Sequence, residues 1–187
     1  MRIIGGNFKG KTILEPKDKL TRPLKDLTKE SIFNIIKHSN KLNIQIKNSF
    51  VLDLFSGVGS FGLECLSREA KHVTFIENYN EVIPILKKNL SNLKLNNNYE
   101  VIEEDIFKNF NFRRFSNKFD IIFLDPPYKE DKLPIIIDKI FSEKILNNNG
   151  IIIIHRHKSQ NDHFIKNFQI VVEKKYGISK ILFGNLN

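Results

Sequence analysis

An alternation of strand and helix patterns, which begins at residue 50, constrains the fold of this 187-residue chain more than any other feature. Short apolar runs predict strands, and apolar residues at helical spacing predict the helices between them. Strands that alternate with helices form a parallel sheet that is covered on both faces. We expect strands at 50–55, 73–77, 99–102, 119–124 and 151–154, and helices at 60–68, 81–95 and 133–146.

The N-terminal residues depart from this alternation. Residues 2–14 alternate around three glycines, which predicts a small hairpin. Residues 24–38 carry apolar side chains at helical spacing, which predicts a helix. We therefore expect an N-terminal extension, 1–40, that is made of a hairpin and a helix and is followed by a main α/β domain, 41–187.

The C-terminal residues predict a different ending for the sheet. A short helix is expected to end at 164–168. Two further apolar stretches, 170–173 and 178–183, flank Tyr176-Gly177, which is typical of a turn between paired strands. The sheet is therefore expected to be mostly parallel and to end in an antiparallel strand pair.

The net charge of +9 is concentrated at the two ends of the chain. Residues 1–30 and residues 151–187 each carry a net charge of +4, whereas the residues between them carry +1. A basic surface favours a polyanionic partner such as nucleic acid. We interpret both ends as candidate nucleic-acid contacts.

Composition and the N-terminal sequence argue against several classes of protein. Cys65 is the only cysteine, so an internal disulfide and a thiolate metal cluster are excluded, and we expect this side chain to pack inward from a helix. No apolar run approaches the ~20 residues of a membrane span. Residues 1–6 lack the apolar core of a signal peptide, so we expect a cytoplasmic protein with no membrane partner.

Acidic residues follow four successive strands of the predicted sheet. Asp53 lies at the end of the first strand, Glu77 closes the second, and Asp105 and Asp125 follow the third and the fourth. Ligands of parallel α/β sheets bind beyond the carboxyl ends of the strands, where these four acids would meet. Such a rim suits a ligand with a ribose diol, an ammonium and a sulfonium, which describes S-adenosylmethionine.

A glycine-rich loop follows the first strand and leaves a second interpretation open. Gly57, Gly59 and Gly62 have the GxGxxG spacing of a dinucleotide site. Asp53 lies four residues before Gly57, and its carboxylate would repel a pyrophosphate at this place. An NAD-dependent oxidoreductase is therefore an alternative that the sequence disfavours.

The stretch Asp125-Pro126-Pro127-Tyr128 ends the fourth strand abruptly. Each proline fixes φ and removes an N–H donor, so the turn is stiff and rich in hydrogen-bond acceptors. An aromatic amine is a poor nucleophile because its lone pair is shared with the ring, and acceptors that bind its N–H groups help to free that pair. The Asp125 carboxylate and the Pro126 carbonyl can be these acceptors. Tyr128 can stack on a base that is flipped out or single-stranded.

Residues 50–154 resemble the class I methyltransferases. The resemblance implies a Rossmann-like fold, S-adenosylmethionine as cofactor, S-adenosylhomocysteine as product and no metal. In that family the first-strand acid and the glycine loop hold the methionine part, the second-strand acid holds the ribose, and the third-strand acid meets the adenine amine. The cofactor site is then expected to contain Asp53, Phe55, Ser56, Gly57, Gly59, Glu77, Asn78, Asp105, Ile106 and Asp125. Asp-Pro-Pro-Tyr also resembles the signature of methyltransferases that act on exocyclic amines of bases. This resemblance implies four catalytic residues, Asp125, Pro126, Pro127 and Tyr128.

Blocks along nearly the whole chain resemble the RsmD family. These are "MRIIGGNFKGKTI", "TRPLKDLTKESIFN", "LDLFSGVGSFGLECLSR", "IIFLDPPYKE" and "KKYGISKILF". The resemblance implies methyl transfer to guanine N2 of 16S ribosomal RNA, in the bacterial small subunit or its assembly intermediate. It also implies that 41–187 is the catalytic domain and that the extension contacts RNA; we expect a monomer. The expected RNA contacts are Arg2, Lys9, Lys11, Arg22 and Tyr128.

Two positions depart from the family pattern. Leu24 stands where the family usually has threonine, so a hydroxyl contact is lost. His155 stands where the family often has an acid at the end of the fifth strand, and Arg156 and His157 follow it. These residues predict either another RNA contact or a tolerant position. A metal site at His155 and His157 is not expected, because no third ligand lies near them in the sequence.

Alternatives stay open in two directions. An adenine-N6 or cytosine-N4 methyltransferase on other nucleic acid would use the same chemistry, because Asp125-Pro126-Pro127-Tyr128 does not distinguish the three amines. A non-catalytic RNA-binding assembly factor would keep the fold without the reaction. The intact glycine loop and the intact prolyl stretch argue against that second alternative.

Overall fold

The computed structural model describes residues 1–16, 24–95, 97–108 and 110–186. This part of the chain contains seven strands, four α-helices and one 3₁₀ turn, Phe112–Arg114. The helices are α1 (Asp26–His38), α2 (Ser60–Ser67), α3 (Ile83–Ser91) and α4 (Leu133–Ser142). The strands are β1 (Phe50–Leu54), β2 (His72–Ile76), β3 (Tyr99–Ile102), β4 (Phe119–Leu124), β5 (Leu146–His157), β6 (Phe168–Tyr176) and β7 (Ser179–Leu186).

All seven strands lie in one sheet, in the order β3-β2-β1-β4-β5-β7-β6. The first five strands of the chain pair in parallel, whereas β7 pairs antiparallel with both β5 and β6. The predicted sheet, mostly parallel with an antiparallel pair at its end, is confirmed. The chain runs outward from β1 to β3 and then returns to β4 on the other side of β1. This reversal opens a crevice at the carboxyl ends of β1 and β4, the place where such sheets bind ligands.

Burial of both sheet faces explains why the strands are continuous apolar runs. Helices α1, α2 and α3 cover the face that carries Val51 and Phe123. Helix α4 covers the opposite face, which carries Leu52 and Ile122. On the first face, Phe61 of α2 lies 4.1 Å from the Phe123 ring, centroid to centroid, so this helix is fixed directly above β4.

The N-terminal residues form a small looped hairpin that packs on the end of α2. Arg2 pairs with Thr12 in an antiparallel bridge, and the Asn7 N–H donates to the Ser67 carbonyl at 2.7 Å. Gly6 has a φ of +72°, and a Cβ there would lie 1.9 Å from the same carbonyl oxygen. Only glycine allows this close approach. Ile3 and other apolar residues of the extension belong to the same core cluster as Val51.

The expected elements differ from the observed ones at several ends and in one helix. Helix α3 spans Ile83–Ser91, which is shorter than the expected 81–95. Strand β5 begins at Leu146, earlier than the expected 151, and helix α4 ends at Ser142. The helix expected to end at 164–168 is wrong, because Phe168 already begins β6 and the described residues before it form a loop. Phe164 and Phe168 suggested helical spacing, but their rings meet edge to face at 4.9 Å from loop and strand positions.

Candidate active site

The strand order places the predicted acids side by side along one edge of the sheet. Asp105 follows β3, Glu77 follows β2, Asp53 lies in β1, Asp125 follows β4 and His155 lies near the end of β5. Because these strands are parallel neighbours in that order, the five side chains follow one another around the crevice. The four acids were predicted at this edge and His155 at the end of the fifth strand, but the pairing of His155 with Asp125 was not predicted.

Asp53 is the most deeply buried acid of the site, with 1% of its surface exposed. Its Oδ2 accepts a hydrogen bond of 2.9 Å from the N–H of Gly62, in the first turn of α2. Burial raises the pKa of Asp53 well above its ordinary value; the Gly62 hydrogen bond opposes this, and the charges of Asp125 and Glu77 raise the pKa further. The ionised form of Asp53 is therefore unfavourable in this pocket unless a cation binds beside it.

Glu77 ties the glycine loop to the end of β2. Its Oε2 accepts from the Gly57 N–H at 2.6 Å, and its Oε1 accepts from the N–H groups of Asn78 and Tyr79, at 2.9 Å each. Ser56 adds to this attachment, because its hydroxyl donates to the carbonyls of Asp53 and Ile76. The loop is therefore held on both sides by groups from β1 and β2.

The glycines of the loop are required by close packing and by backbone conformation. Gly59 has a φ of +83°, and a Cβ there would lie 2.5 Å from Leu86 Cδ1. A Cβ on Gly62 would lie 2.2 Å from Phe75 Cε1 on β2. These positions allow α2 to begin directly above β1 and β2, which aims its first N–H groups into the crevice.

Asp105 and its neighbours close the β3 side of the site. Burial raises the pKa of Asp105, but hydrogen bonds from the Phe107 N–H, Lys108 and Asn78 hold it below its ordinary value. The Asp105 Oδ1 is 2.9 Å from the Phe107 nitrogen. The carboxylate is therefore ionised, and its link to Asn78 joins the ends of β2 and β3.

The predicted cofactor residues Phe55 and Ile106 lie on the α4 side of this part of the site. Phe55 has a φ of +61°, and its ring centroid is 5.6 Å from that of Phe107. Ile106 is 5% exposed and packs in the core cluster beneath α4. Both side chains therefore give this part of the crevice an apolar wall.

Residues 125–132, which we call the prolyl loop, leave β4 beside Asp53. The Asp125 N–H donates to the Leu54 carbonyl at 3.4 Å, so the loop begins close to the end of β1. Pro126 is buried and Pro127 is exposed, while Tyr128 is half-buried. The Tyr128 ring meets the rings of His155 and His157 edge to face, at centroid distances of 6.2 and 5.3 Å.

His155 pairs directly with the prolyl loop. Its Nδ1 lies 2.7 Å from Asp125 Oδ1, and the residue is 6% exposed. Burial lowers the pKa of His155, but the charge and the hydrogen bond of Asp125 outweigh this effect and hold the pKa above its ordinary value. His155 therefore lies inside the site, and the alternative that it contacts RNA stays a prediction.

Arg156 fixes the prolyl loop from the other face of the sheet. Its guanidinium binds the Asp162 carboxylate through two nitrogens, at 2.7 and 3.0 Å. It also donates to the carbonyls of Glu130 at 2.7 Å and Pro127 at 3.4 Å. Arg156 is 1% exposed and its guanidinium is bound within the protein, so the interpretation of this residue as an RNA contact is wrong.

A second connection runs through Gln160. Its side-chain amide donates to the Tyr128 carbonyl at 2.5 Å, and its own carbonyl accepts from the Lys180 ammonium. Sequence reasoning missed the contacts of Arg156 and Gln160 with the prolyl loop, because their partners are backbone carbonyls about 26 to 32 positions away. It also missed Asp162, which binds the Arg156 guanidinium. The single available signal was a charged residue inside an apolar strand, since such a residue needs a buried partner.

The predicted RNA contacts that the structure describes lie on the hairpin surface. Arg2, Lys9 and Lys11 are exposed. Arg2 approaches Asp26 at 3.9 Å but leaves 71% of its side chain open to solvent. Lys11 lies over the Phe8 ring, 5.1 Å from its centroid. Exposed ion pairs of this kind contribute little to stability, so these cations are available to a polyanion.

Arg22 lies outside the described residues, so its predicted role stays a prediction. Leu24, which replaces the expected threonine, is 3% exposed and packs with Ile32 in the core. An apolar side chain therefore fits this position without a polar partner.

Among the residues that the structure describes, no three His, Cys, Asp or Glu side chains are grouped in a way that could hold a metal ion. The described helices also include none that is long and apolar enough to cross a membrane.

Comparisons with known proteins agree with this architecture. The family described as Conserved hypothetical protein 95 matches residues 1–185. Ribosomal RNA small subunit methyltransferase D of Haemophilus influenzae is 33% identical over 179 residues, which cover 95% of this chain and 90% of that protein. The protein of the same name from Buchnera aphidicola subsp. Baizongia pistaciae is 33% identical over 190 residues, which cover 100% of this chain and 93% of the relative.

Solved structures give the same result for the fold. The Escherichia coli protein yhhF superimposes with a TM-score of 0.81 at 27% identity, and the match covers 100% of this chain and 97% of yhhF. The fold is that of the class I methyltransferases. The family match and the Haemophilus and Buchnera relatives extend over almost the entire length. The chain therefore belongs to the Conserved hypothetical protein 95 family, which is the family of ribosomal RNA small subunit methyltransferase D.

Proposed function

We propose that the protein transfers a methyl group from S-adenosylmethionine to the exocyclic N2 amine of a guanine in bacterial 16S ribosomal RNA. The observation that carries the proposal is the position of Asp125 beside the buried Asp53. One acid belongs to a stiff loop that can hold an amine, and the other belongs to a pocket that needs a cation. The two acids lie on the same face of neighbouring strands, at the topological reversal of the sheet.

The electrostatics of the pocket support a cationic cofactor over a dinucleotide. A pyrophosphate would need the free N–H groups of the glycine loop and of the first turn of α2. Two of those donors already bind carboxylates, because Gly57 donates to Glu77 and Gly62 donates to Asp53. The raised pKa of Asp53 shows that this pocket destabilises negative charge. A ligand with an ammonium and a sulfonium would relieve that repulsion, whereas a pyrophosphate would increase it.

The residues that would hold S-adenosylmethionine follow from the same geometry. Asp53 and the loop around Gly57 would face the methionine part, Glu77 would accept from the ribose hydroxyls, and Asp105 would meet the adenine amine beside Ile106. When it is bound, the cofactor supplies an electrophilic methyl group. Glu77 would have to share its oxygens between the ribose and the backbone, since all its contacts in this structure are to N–H groups.

The prolyl loop would activate the amine. The Asp125 carboxylate and the Pro126 carbonyl accept the two N–H groups, which favours the form of the nitrogen whose lone pair is available. Transfer of the methyl group would place positive charge on the amine nitrogen, with S-adenosylhomocysteine as the other product. The two acceptors therefore bind the transition state more strongly than the neutral amine. The Asp125 carboxylate, which already accepts an N–H group of the amine, would then take the extra proton and release it to solvent.

The RNA partner is supported by charge and by the names of the relatives. Arg2, Lys9 and Lys11 form an exposed basic surface on the hairpin, which suits phosphate contacts. Two relatives at 33% identity carry the name ribosomal RNA small subunit methyltransferase D. We therefore propose the small subunit or its assembly intermediate as the substrate.

The test combines purified protein, isotope-labelled S-adenosylmethionine and small subunits from a strain that lacks the modification. We expect labelled N2-methylguanosine in the digested 16S RNA, identified by mass spectrometry. D125A should lose transfer while its cofactor affinity, measured by calorimetry, stays within about tenfold, because Asp125 acts on the amine. D138N, which changes an exposed acid of α4, is the matched control and should transfer at the wild-type rate.

Three outcomes would contradict the proposal. Labelled N6-methyladenosine or N4-methylcytidine would keep the chemistry and refute the guanine assignment. Binding of NAD without binding of S-adenosylmethionine would favour the oxidoreductase. Cofactor and RNA binding with no transfer under any condition would favour a non-catalytic assembly factor.

A further inference from the structure

The strand register places His155 opposite Asp125. Leu124 of β4 pairs with Ile154 of β5, so the next residues on these strands are Asp125 and His155. Both side chains point to the face covered by α1 and α2, and His155 Nδ1 lies 2.7 Å from Asp125 Oδ1. The other ring nitrogen, Nε2, is buried and has no hydrogen-bond partner among the described residues.

We propose that His155 is a positioning residue that controls the charge of the Asp125 carboxylate and makes methyl transfer depend on pH. The inference rests on the function proposed above. It concerns a residue that acts through Asp125 and does not itself touch the amine.

The charge of the pair changes when His155 titrates. Nδ1 donates to Asp125 in both states, because the carboxylate is an acceptor and holds this proton. The proton that leaves is therefore the one on Nε2, which has no hydrogen bond to lose. The pair carries a charge of −1 when the imidazole is neutral and no net charge when it is protonated. Because the amine becomes positive in the transition state, the neutral imidazole gives the faster reaction.

Strands β4 and β7 flank β5, the strand that carries His155. Asp125 is its direct partner from β4, and its neighbour on β7 is Ile181, which carries no charge. Further ionisable groups on this face are engaged with other atoms. They are Asp53 of β1, bonded to Gly62; Lys29 of α1, bonded to the Arg2 carbonyl; Glu64 of α2, bonded to Arg68; Tyr128 of the prolyl loop; and His157, bonded to Ser159.

The titration is expected on the alkaline side of an ordinary histidine. Burial lowers the pKa of His155, and Asp125 more than compensates by its charge and its hydrogen bond. The transfer rate should therefore rise with pH through this raised pKa and then become constant. Below the raised pKa, the rate should fall about tenfold per pH unit, as expected for one essential deprotonation.

The experiment is a series of single-turnover methyl transfers with saturating cofactor and unmethylated small subunits, at about pH 5 to 9. H155N is the decisive variant, because the asparagine amide can donate to Asp125 as Nδ1 does but cannot titrate. We expect H155N to lose the acid limb and to keep the alkaline rate within a few-fold of the wild type. H155L, which cannot donate, should be slower at every pH. H72N removes the histidine at the amino end of β2, away from the crevice, and should keep the wild-type pH profile.

An independent measurement follows the His155 ring by NMR. Its pKa in the wild type should match the midpoint of the acid limb, and D125N should lower that pKa. This readout requires neither transfer activity in D125N nor a folded H155N. Two outcomes would overturn the inference about His155 and leave the proposed function intact. They are an NMR pKa of His155 far from the kinetic midpoint and an H155N profile that keeps the acid limb. A wild-type protein that transfers no methyl group at any pH would overturn the proposed function and the inference together.

Discussion

The buried ion pair of Arg156 and Asp162 is expected to contribute more to the position of the prolyl loop than to the stability of the fold. The two side chains are 1% and 5% exposed, and the guanidinium also binds the Glu130 and Pro127 carbonyls. In D162L the guanidinium would be buried without its partner, which costs about 3–5 kcal/mol. Domains of this size are stable by about 5–15 kcal/mol, so this loss should be obvious in a urea unfolding curve.

The double variant R156M/D162L separates the two contributions. Replacing both charges by apolar side chains of similar size is often neutral or stabilising, so its unfolding free energy should return to within about 2 kcal/mol of the wild type. The loop would still lack the 2.7 Å bond to the Glu130 carbonyl and the weaker one to Pro127. A bond to a charged donor is worth about 1.5–3 kcal/mol. At about 1.4 kcal/mol per tenfold, transfer should fall roughly 10- to 100-fold.

Urea unfolding followed by circular dichroism gives the stability, and single-turnover transfer gives the rate. The cofactor affinity should stay constant, because Arg156 lies on the α4 face of the sheet, away from Asp53. The exposed pair Lys47–Glu69, at 2.9 Å, provides a matched control, and K47Q/E69Q should change stability by less than about 1 kcal/mol. A double variant that transfers at the wild-type rate would show that the loop does not depend on Arg156.

Three further predictions concern the cofactor side of the site. D53N keeps an acceptor for the Gly62 N–H but removes a carboxylate whose pKa is raised by burial. A pH series of urea unfolding should therefore show D53N to be more stable than the wild type above that pKa when no ligand is bound, and the gain should disappear as the pH falls through that pKa. D53N should also bind S-adenosylmethionine more weakly, as measured by calorimetry. In E77Q, the side-chain NH2 group would face one of the three backbone N–H donors in place of a carboxylate oxygen, so the attachment of the loop should weaken by about 1.5–3 kcal/mol. The weaker attachment should appear as faster hydrogen exchange of the Gly57 amide, and unchanged exchange would contradict the role assigned to Glu77. G62A forces a Cβ against Phe75 and should destabilise the fold by about 1–3 kcal/mol in thermal unfolding, whereas equal stability would show that α2 can move away.

The sequence predicted the strands well because their burial leaves a simple pattern. The expected bounds 99–102 and 119–124 match β3 and β4, since both strands are short, mainly apolar runs with polar residues on either side. The strand order could not be derived from the periodicity, because it depends on how helices pack over the sheet. The ends of the helices were predicted less accurately than the strands. The helix predicted at Phe164 was wrong because two aromatic residues that pack together can have the spacing of a helix.

The acids of the site were predictable, but their partners were not. Asp53, Glu77, Asp105 and Asp125 each follow or end an apolar run, and parallel strands bring such positions to one edge. The pairing of His155 with Asp125 requires the register of β4 against β5, in which Leu124 faces Ile154. A signal did exist, because both residues come directly after the last apolar residue of neighbouring strands. The next residue, Arg156, then points to the opposite face by the alternation of a strand.

The distribution of charge leads to a final argument about how RNA would approach this site. The chain is strongly basic, yet its crevice is lined by Asp53, Glu77 and Asp125, and the exposed cations of the extension lie on the hairpin. A phosphate entering the crevice would lose its hydration, as the buried Asp53 carboxylate does, and would be repelled by Asp125 and Glu77. A neutral base would not, and its N–H groups would find acceptors there. Under the proposed function, the two regions would divide the substrate: the basic surface would attract the backbone, and the acidic crevice would accept a base only after it has left its stack.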